Sequence, residues 1–159
     1  MSIKFVTFAA IMNIDILSEE ERSLLTQLIA EAERIVVCCH KSPDGDALGS
    51  SLAWTDYLRT AHGKQVSLIV PDAYPDFLKW MPNTEKVVRF DKHPDVCQEA
   101  FNKADLVFCL DFNATSRVDE MQPLLDHSPA RRVMIEHHLM PDMETALTIS
   151  HPDMSSTSE

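Results

Sequence analysis

The stretch IVVCCHKSPDGDALG at residues 35–49 contains a buried strand, a polar loop and the beginning of a helix. Residues 35–39 are continuously apolar, which is typical of a strand covered on both faces of a sheet. Residues 40–46 form the polar loop, in which Gly45 permits a tight turn, and residues 47–61 have the spacing of a helix. A strand, a loop and a helix in this order predict one βα unit of a parallel sheet.

Strands and helices also alternate on both sides of this stretch. Before it, Ser18 and Glu21 have the spacing of a capping box, which predicts a helix that ends at about residue 34. The remaining elements are predicted as strands over residues 65–70, 87–90, 106–110, 132–135 and 146–149, and as helices over residues 94–103 and 118–125. We therefore predict an α/β fold, a three-layer α/β/α sandwich with a mainly parallel sheet.

The length of 159 residues corresponds to one domain, which we place at residues 18–159 after an N-terminal extension at residues 1–17. The extension is interpreted as an extra strand, or as an upstream translation start before Met12, rather than as a signal peptide. The four cysteines form no C-x-x-C pair, and we interpret them as reduced and buried, as in a cytoplasmic protein. No apolar run approaches the ~20 residues of a membrane span.

Acidic residues outnumber basic residues by 25 to 14, so the formal net charge is −11. This charge repels a nucleic-acid backbone and an anionic membrane, and we therefore exclude long duplex nucleic acid and membranes as partners. A phosphate-bearing substrate would need a basic pocket or a bound metal to hold it.

Polar side chains that can bind a metal follow three of the predicted strands. They are His40, Asp44 and Asp46 after residues 35–39, Asp111 after residues 106–110, and Glu136, His137 and His138 after residues 132–135. Alone, Asp111 would be a turn or cap residue and Asp-Gly-Asp a common turn. Because the carboxyl ends of parallel strands meet at one edge of a sheet, we expect these side chains to converge there.

Such a cluster predicts a metal centre, since neighbouring carboxylates do not all stay ionised without compensating cations. Mixed carboxylate and imidazole ligands suit Mn²⁺, Fe²⁺, Co²⁺ or Zn²⁺. The number of ligands is sufficient for two ions that share a carboxylate, which is the arrangement that clamps the attacking and leaving oxygens in phosphoryl transfer.

The segment HKSPDGDALGS at residues 40–50 resembles the first motif of the DHH phosphoesterase superfamily. The segment DFNATSRVDE, which begins at Asp111, is similar to the second motif, and IEHH at residues 135–138 is similar to the third. The resemblance extends over about residues 24–159. It is closest to the branch that pairs a DHH domain with a DHHA1 domain, which contains oligoribonucleases, 3′-phosphoadenosine 5′-phosphate phosphatases and cyclic or linear dinucleotide phosphodiesterases.

The resemblance implies a role for each of these side chains. Two divalent ions, expected to be Mn²⁺, would be held by His40 and Asp44 on one side and by Asp46 and His137 on the other, with Asp111 as the bridge and His138 as the catalytic residue. Glu136 would support the metal-binding histidine, although the family motif has the shorter Asp at this place. Asn113 and Arg117 would contact the substrate.

The implied function is metal-dependent hydrolysis of phosphodiester or phosphomonoester bonds in short oligonucleotides, dinucleotides or nucleotide bisphosphates. The alternatives are a DHH-type inorganic pyrophosphatase and a non-catalytic metal-binding fragment, and a homodimer is one alternative for the assembly. The family has a further metal-binding Asp and the DHHA1 domain downstream, without counterparts here. We therefore expect an incomplete DHH domain of little activity, in which Ser156 and Glu159 begin a helix by their capping-box spacing.

Overall fold

The computed structural model describes residues 16–158, and the extra strand predicted before Met12 lies outside them. Its strands are β1 (Arg34–Cys39), β2 (Gln65–Val70), β3 (Val88–Arg89), β4 (Leu106–Leu110), β5 (Arg131–Glu136) and β6 (Leu147–Ser150). Its α-helices are α1 (Glu19–Glu31), α2 (Gly45–Thr60), α3 (Pro94–Lys103) and α4 (Gln122–His127). Each predicted strand has a counterpart in this part of the chain, and so does each helix predicted before residue 118.

The six strands form one sheet in the order β3-β2-β1-β4-β5-β6, and all neighbouring pairs are parallel. The alternating side chains of β1 belong to two separate cores: Ile35, Val37 and Cys39 lie in one, and Val36 and Cys38 lie in the other. The first core includes residues of α1 and α2, and the second includes residues of α3 and α4. Helices therefore cover both faces of the sheet, and the predicted α/β/α sandwich is confirmed.

Side-chain caps set the beginnings of the first two helices. Ser18 is the N-cap of α1, and it forms with Glu21 the complete capping box that the spacing predicts. Helix α2 begins at Gly45, two residues before the predicted start at residue 47, because Asp44 is its N-cap. One carboxylate oxygen of Asp44 accepts hydrogen bonds from the backbone N–H groups of Asp46 at 3.0 Å and Ala47 at 2.9 Å.

The helix predicted over residues 118–125 differs most from the structure. A 3₁₀ helix covers Thr115–Met121, and α4 follows it. Asp119 interrupts the 3₁₀ helix with a φ of 49° and a ψ of −123°, so the two pieces do not form one continuous α-helix. The apolar spacing that predicted a single helix arises because Val118, Met121, Leu124 and Leu125 are all buried on the same side.

After β6 the chain stays at the carboxyl edge of the sheet, where Thr157 and Ser158 form a turn. The helix predicted to begin at residue 156 cannot be followed, since Glu159 lies outside the described residues. Among the helices of residues 16–158, none has the length and the apolar character required to cross a bilayer.

Candidate metal centre

Three adjacent strands, β1, β4 and β5, deliver the predicted ligands to one edge of the sheet. The register pairs Cys39 with Leu110, and Leu110 with Ile135. The residues that follow these positions, His40 and Asp111 among them, therefore lie side by side at the carboxyl ends of the strands. This is the edge at which open α/β sheets bind their ligands.

Asp111 lies at the middle of the cluster and faces an imidazole with each of its carboxylate oxygens. Its Oδ2 lies 3.4 Å from Nε2 of His40, and its Oδ1 lies 3.3 Å from Nε2 of His137. Oδ1 of Asp44 lies 4.0 Å from the same Nε2 of His40. Oδ2 of Asp46 lies 3.5 Å from the same Nε2 of His137. All five predicted metal ligands are thus brought together, and Asp111 lies between the two histidines.

The donor set fits divalent metal ions. His40, Asp44 and Asp111 each offer a ligand atom within 4.8 Å of the others, and so do Asp111, His137 and His138. Carboxylate and imidazole donors in two groups that share Asp111 are what two transition-metal ions with a common carboxylate require. His138, which the sequence assigned to the substrate, also lies within reach of this centre.

The imidazole of His40 is oriented by its own neighbour. Its Nδ1 lies 2.7 Å from the backbone carbonyl oxygen of Lys41, to which it donates, so that Nε2 faces the carboxylates. Nε2 carries the proton of the charged imidazolium or, without that proton, a lone pair for a metal ion. The Asp111 carboxylate raises the pKa of His40 above its usual range, with a further contribution from Asp44, although burial acts in the opposite direction. A bound cation would take the place of that proton.

Asp46 is held by two residues that the sequence analysis did not assign to the site. Backbone N–H groups of Thr157 and Ser158 donate to its two carboxylate oxygens, both at 2.8 Å, and the Ser158 hydroxyl donates to Oδ1 at 2.6 Å. Burial raises the pKa of Asp46, but these donors outweigh it and hold the pKa below its usual range. The sequence analysis predicts only that a helix begins at residues 156–159, and it assigns these residues no contact with the site.

Asp111 itself adopts an unusual backbone conformation. Its φ is 64°, in the left-handed region that is uncommon outside glycine, while its N–H still donates to the carbonyl oxygen of Ile135 at 3.0 Å. Only 2% of the residue is exposed. Strain of this kind is concentrated at functional sites, where it aims a side chain that the regular strand would point elsewhere.

Glu136 is 3% exposed, and its carboxylate is satisfied by two donors. The Ser150 hydroxyl donates to Oε1, and the backbone N–H of His138 donates to Oε2. The same Oε2 lies 3.5 Å from Nδ1 of His138. In the described part of the chain, Glu136 therefore contacts the second histidine of the pair and not the ring of His137, the metal ligand it was expected to support. Ser150 was not identified from the sequence.

The two predicted substrate contacts have different surroundings. The Asn113 side chain donates to the carbonyl oxygen of Leu139 at 2.8 Å, so it organises the loop that follows His138. Arg117 is held through its backbone, whose carbonyl oxygen accepts from Lys41 N–H at 2.8 Å. Within residues 16–158, its exposed guanidinium has no hydrogen-bond or ion-pair partner.

These motifs on adjacent strand ends agree with the comparison to known families. Residues 34–159 match the DHH family, N-terminal domain. The chain belongs to the DHH family. The resemblance of its three motifs to that superfamily is thereby confirmed.

Solved structures support the same assignment. An exopolyphosphatase-related protein from Bacteroides fragilis has 42% sequence identity to this DHH chain and aligns with a TM-score of 0.87. The alignment covers 90% of this chain and 42% of the length of that protein. The chain thus spans less than half of that relative. An alpha-glucosyltransferase in complex with UDP and DNA aligns with a TM-score of 0.55 and 18% identity over 74% of this chain and 37% of its own, which shows similarity of fold alone.

Proposed function

We propose that the chain is the metal-binding part of a divalent-metal-dependent phosphoesterase. The observation that carries this proposal is the position of Asp111, whose two carboxylate oxygens lie 3.4 Å and 3.3 Å from the Nε2 atoms of His40 and His137. A carboxylate between two imidazoles, with Asp44 near the same Nε2 of His40 and Asp46 near the same Nε2 of His137, is a suitable bridge between two ions.

In this proposal the protein holds Mn²⁺ at two neighbouring positions. One position takes His40, Asp44 and Asp111, and the other takes Asp46, Asp111 and His137. When bound, the ions would supply Lewis-acid stabilisation of the charge that develops on the phosphoryl oxygens. The protein contributes the fixed spacing of the ligands, because His40, Asp111 and His137 follow strands of the sheet. Asp44 and Asp46 lie at the beginning of α2.

His138 is suited to a proton-transfer or charge-stabilising role toward the substrate. Its Nδ1 faces the buried Glu136 carboxylate at 3.5 Å, and 39% of its side chain is exposed. A proton on Nδ1 is favoured by that carboxylate, which leaves Nε2 as the atom that a substrate phosphate or its leaving group can meet.

The substrate class that we propose is a short oligonucleotide, a dinucleotide or a nucleotide bisphosphate. The net charge of −11 opposes the binding of a long polyanion, whereas a short substrate needs only the metal ions and a few local contacts. Arg117 is the proposed phosphate contact, because it lies beside Lys41 and its guanidinium is exposed.

A phosphoanhydride substrate is the second candidate. It is favoured by the description of the Bacteroides fragilis relative as exopolyphosphatase-related. Inorganic pyrophosphate and polyphosphate share the charge and the phosphoryl centre of a nucleotide substrate, but they contain no base or sugar. The two candidates therefore differ in whether nucleoside groups contribute to binding.

The test is a hydrolysis assay with Mn²⁺ on four substrates: a linear dinucleotide, a nucleotide bisphosphate, pyrophosphate and polyphosphate. The 159-residue chain is compared with a version extended to the length of the Bacteroides fragilis relative. We expect the extended protein to hydrolyse the dinucleotide or the bisphosphate, and we expect Asp111→Asn to abolish this hydrolysis. Turnover of pyrophosphate and polyphosphate alone would favour the second candidate. Folded extended protein that hydrolyses none of the four would contradict the proposal.

A further inference from the structure

We infer that Thr157 and Ser158 are positioning residues for the metal centre. They would fix the carboxylates of Asp46 and Asp111 in the orientation that receives the ions. The inference rests on the proposed metal-dependent function and extends it to a segment that supplies no ligand in that proposal.

Thr157 joins the two carboxylates directly. Its backbone N–H donates to Oδ2 of Asp46 at 2.8 Å, and its hydroxyl donates to Oδ1 of Asp111 at 2.9 Å. Asp46 lies in the first turn of α2, and Asp111 follows β4, so one residue from the end of the described chain links two separate elements. The distance between the two carboxylates therefore depends on Thr157.

Ser158 holds the other oxygen of Asp46. Its N–H and its hydroxyl both donate to Oδ1, at 2.8 Å and 2.6 Å. With the bond from Thr157, three donors fix both oxygens of a side chain that is otherwise free to rotate at the start of a helix. Donors of this kind hold a ligand in place before the metal arrives, and their loss typically reduces metal affinity by about 10–100-fold.

The bonds from Thr157 leave the carboxylates able to bind an ion. Each carboxylate oxygen can accept more than one contact. The two oxygens that Thr157 bonds are also the two that face Nε2 of His137, Asp46 Oδ2 at 3.5 Å and Asp111 Oδ1 at 3.3 Å. Thr157 and His137 thus contact the same pair of oxygens, and this pair surrounds the second proposed metal position.

The experiment measures Mn²⁺ affinity by the electron paramagnetic resonance signal of the free ion. Thr157→Val keeps the shape of the side chain and the backbone N–H but removes the hydroxyl that bonds Asp111. We expect its Mn²⁺ affinity to fall by about 10-fold or more, and Thr157→Ser to restore it. Thr60→Val, at an exposed position near the end of α2, is the matched control and should bind Mn²⁺ as the unmodified chain does.

Ser158→Ala tests the same inference on Asp46 and serves in its place if Thr157→Val does not fold. Affinity equal to that of the unmodified chain in whichever variant folds would overturn the inference while the proposed function stands. An increase would also overturn it, because the hydroxyl would then compete with the ion. If the unmodified chain binds no Mn²⁺, the proposed function fails, and this inference fails with it.

Discussion

Asp111 combines three properties at one position: a positive φ, almost complete burial and contact with two imidazoles. Each property alone is unfavourable or neutral for stability, since left-handed backbone costs energy and a buried carboxylate requires compensation. The proposed metal binding accounts for their coincidence between His40 and His137. We therefore expect Asp111 to serve function at some cost to the stability of the folded chain.

Substitution of Asp111 by Asn should abolish the stabilisation of the folded chain by Mn²⁺. Asn has nearly the same volume and tolerates a positive φ, but it lacks the negative charge that would bridge the ions. The measurement is the shift of the thermal midpoint on adding Mn²⁺. Asp126→Asn, at an exposed position of α4, should retain the full shift. A full shift in Asp111→Asn would refute the assignment of the bridge.

Substitution of Ser150 by Ala should destabilise the chain through Glu136. The Ser150 hydroxyl is the donor to Oε1 of this buried carboxylate, so its removal leaves one oxygen unsatisfied. We expect a loss of about 1–3 kcal/mol in the free energy of unfolding, measured with urea. The exposed Ser116→Ala is the control and should remain within about 0.5 kcal/mol of the unmodified chain. Equal stability of Ser150→Ala and Ser116→Ala would show that the buried Glu136 carboxylate does not depend on the Ser150 hydroxyl.

At the scale of elements, single carboxylates connect the ends of strands and helices. Asp44 is both the N-cap of α2 and a proposed metal ligand, so the same side chain begins a helix and faces His40. At the opposite edge of the sheet, Asp105 precedes β4, and its Oδ2 accepts from Glu33 N–H at 3.0 Å and Arg34 N–H at 2.8 Å. This second carboxylate fixes the beginning of β1 beside the beginning of β4.

The contribution of Asp105 to the free energy of unfolding should depend on pH. The two backbone donors hold the pKa of its carboxyl below its usual range, so its stabilising effect is present above the pKa of the unfolded chain, about 3.9. That effect is lost as the pH falls through the lower pKa of the folded chain. We expect Asp105→Asn to be less stable than the unmodified chain at neutral pH, with a difference that shrinks on acidification. Urea unfolding between neutral pH and about pH 3 measures it, and a difference that grows toward low pH would contradict the sign.

For the whole molecule, the sheet is the scaffold and its carboxyl edge is the centre of negative charge. The central strands β1 and β4 are covered on both faces, and their ends place His40 and Asp111 at fixed positions. The net charge of −11 adds to the local repulsion among the carboxylates. A divalent cation should therefore stabilise the folded chain as a whole.

Mn²⁺ should raise the thermal midpoint in a concentration-dependent way, because an ion that binds only the folded chain stabilises it by mass action. At a free concentration about 100 times the dissociation constant, one site contributes about 2.7 kcal/mol. Calorimetry with increasing Mn²⁺ measures the effect, and excess EDTA should reverse it. NaCl at matched ionic strength should produce a smaller shift. An equal shift with NaCl would mean that general screening, and not a site, is responsible.

The strands, most helix boundaries and the candidate ligands at strand ends can be predicted from the sequence alone. These features depend on local patterns that need no tertiary contacts, such as the apolar run of residues 35–39 and the capping box of Ser18. The first turn of α2 was missed because Asp44 was interpreted as a ligand and not also as a cap. The sequence does not distinguish the 3₁₀ helix at Thr115–Met121 from an α-helix, because the three-residue spacing of Val118 and Met121 fits both kinds of helix over so short a segment.

The groups that surround those candidate ligands depend on the tertiary structure. Ser150 reaches Glu136 because β6 pairs with β5. Thr157 reaches Asp46 across 111 positions because the chain crosses the carboxyl edge of the sheet after β6. No local pattern contains either contact, since each depends on the order of the strands and on the path of a connection. The ligand types can be identified from single strand ends, but the donors that orient them belong to segments that meet only when the whole sheet has formed.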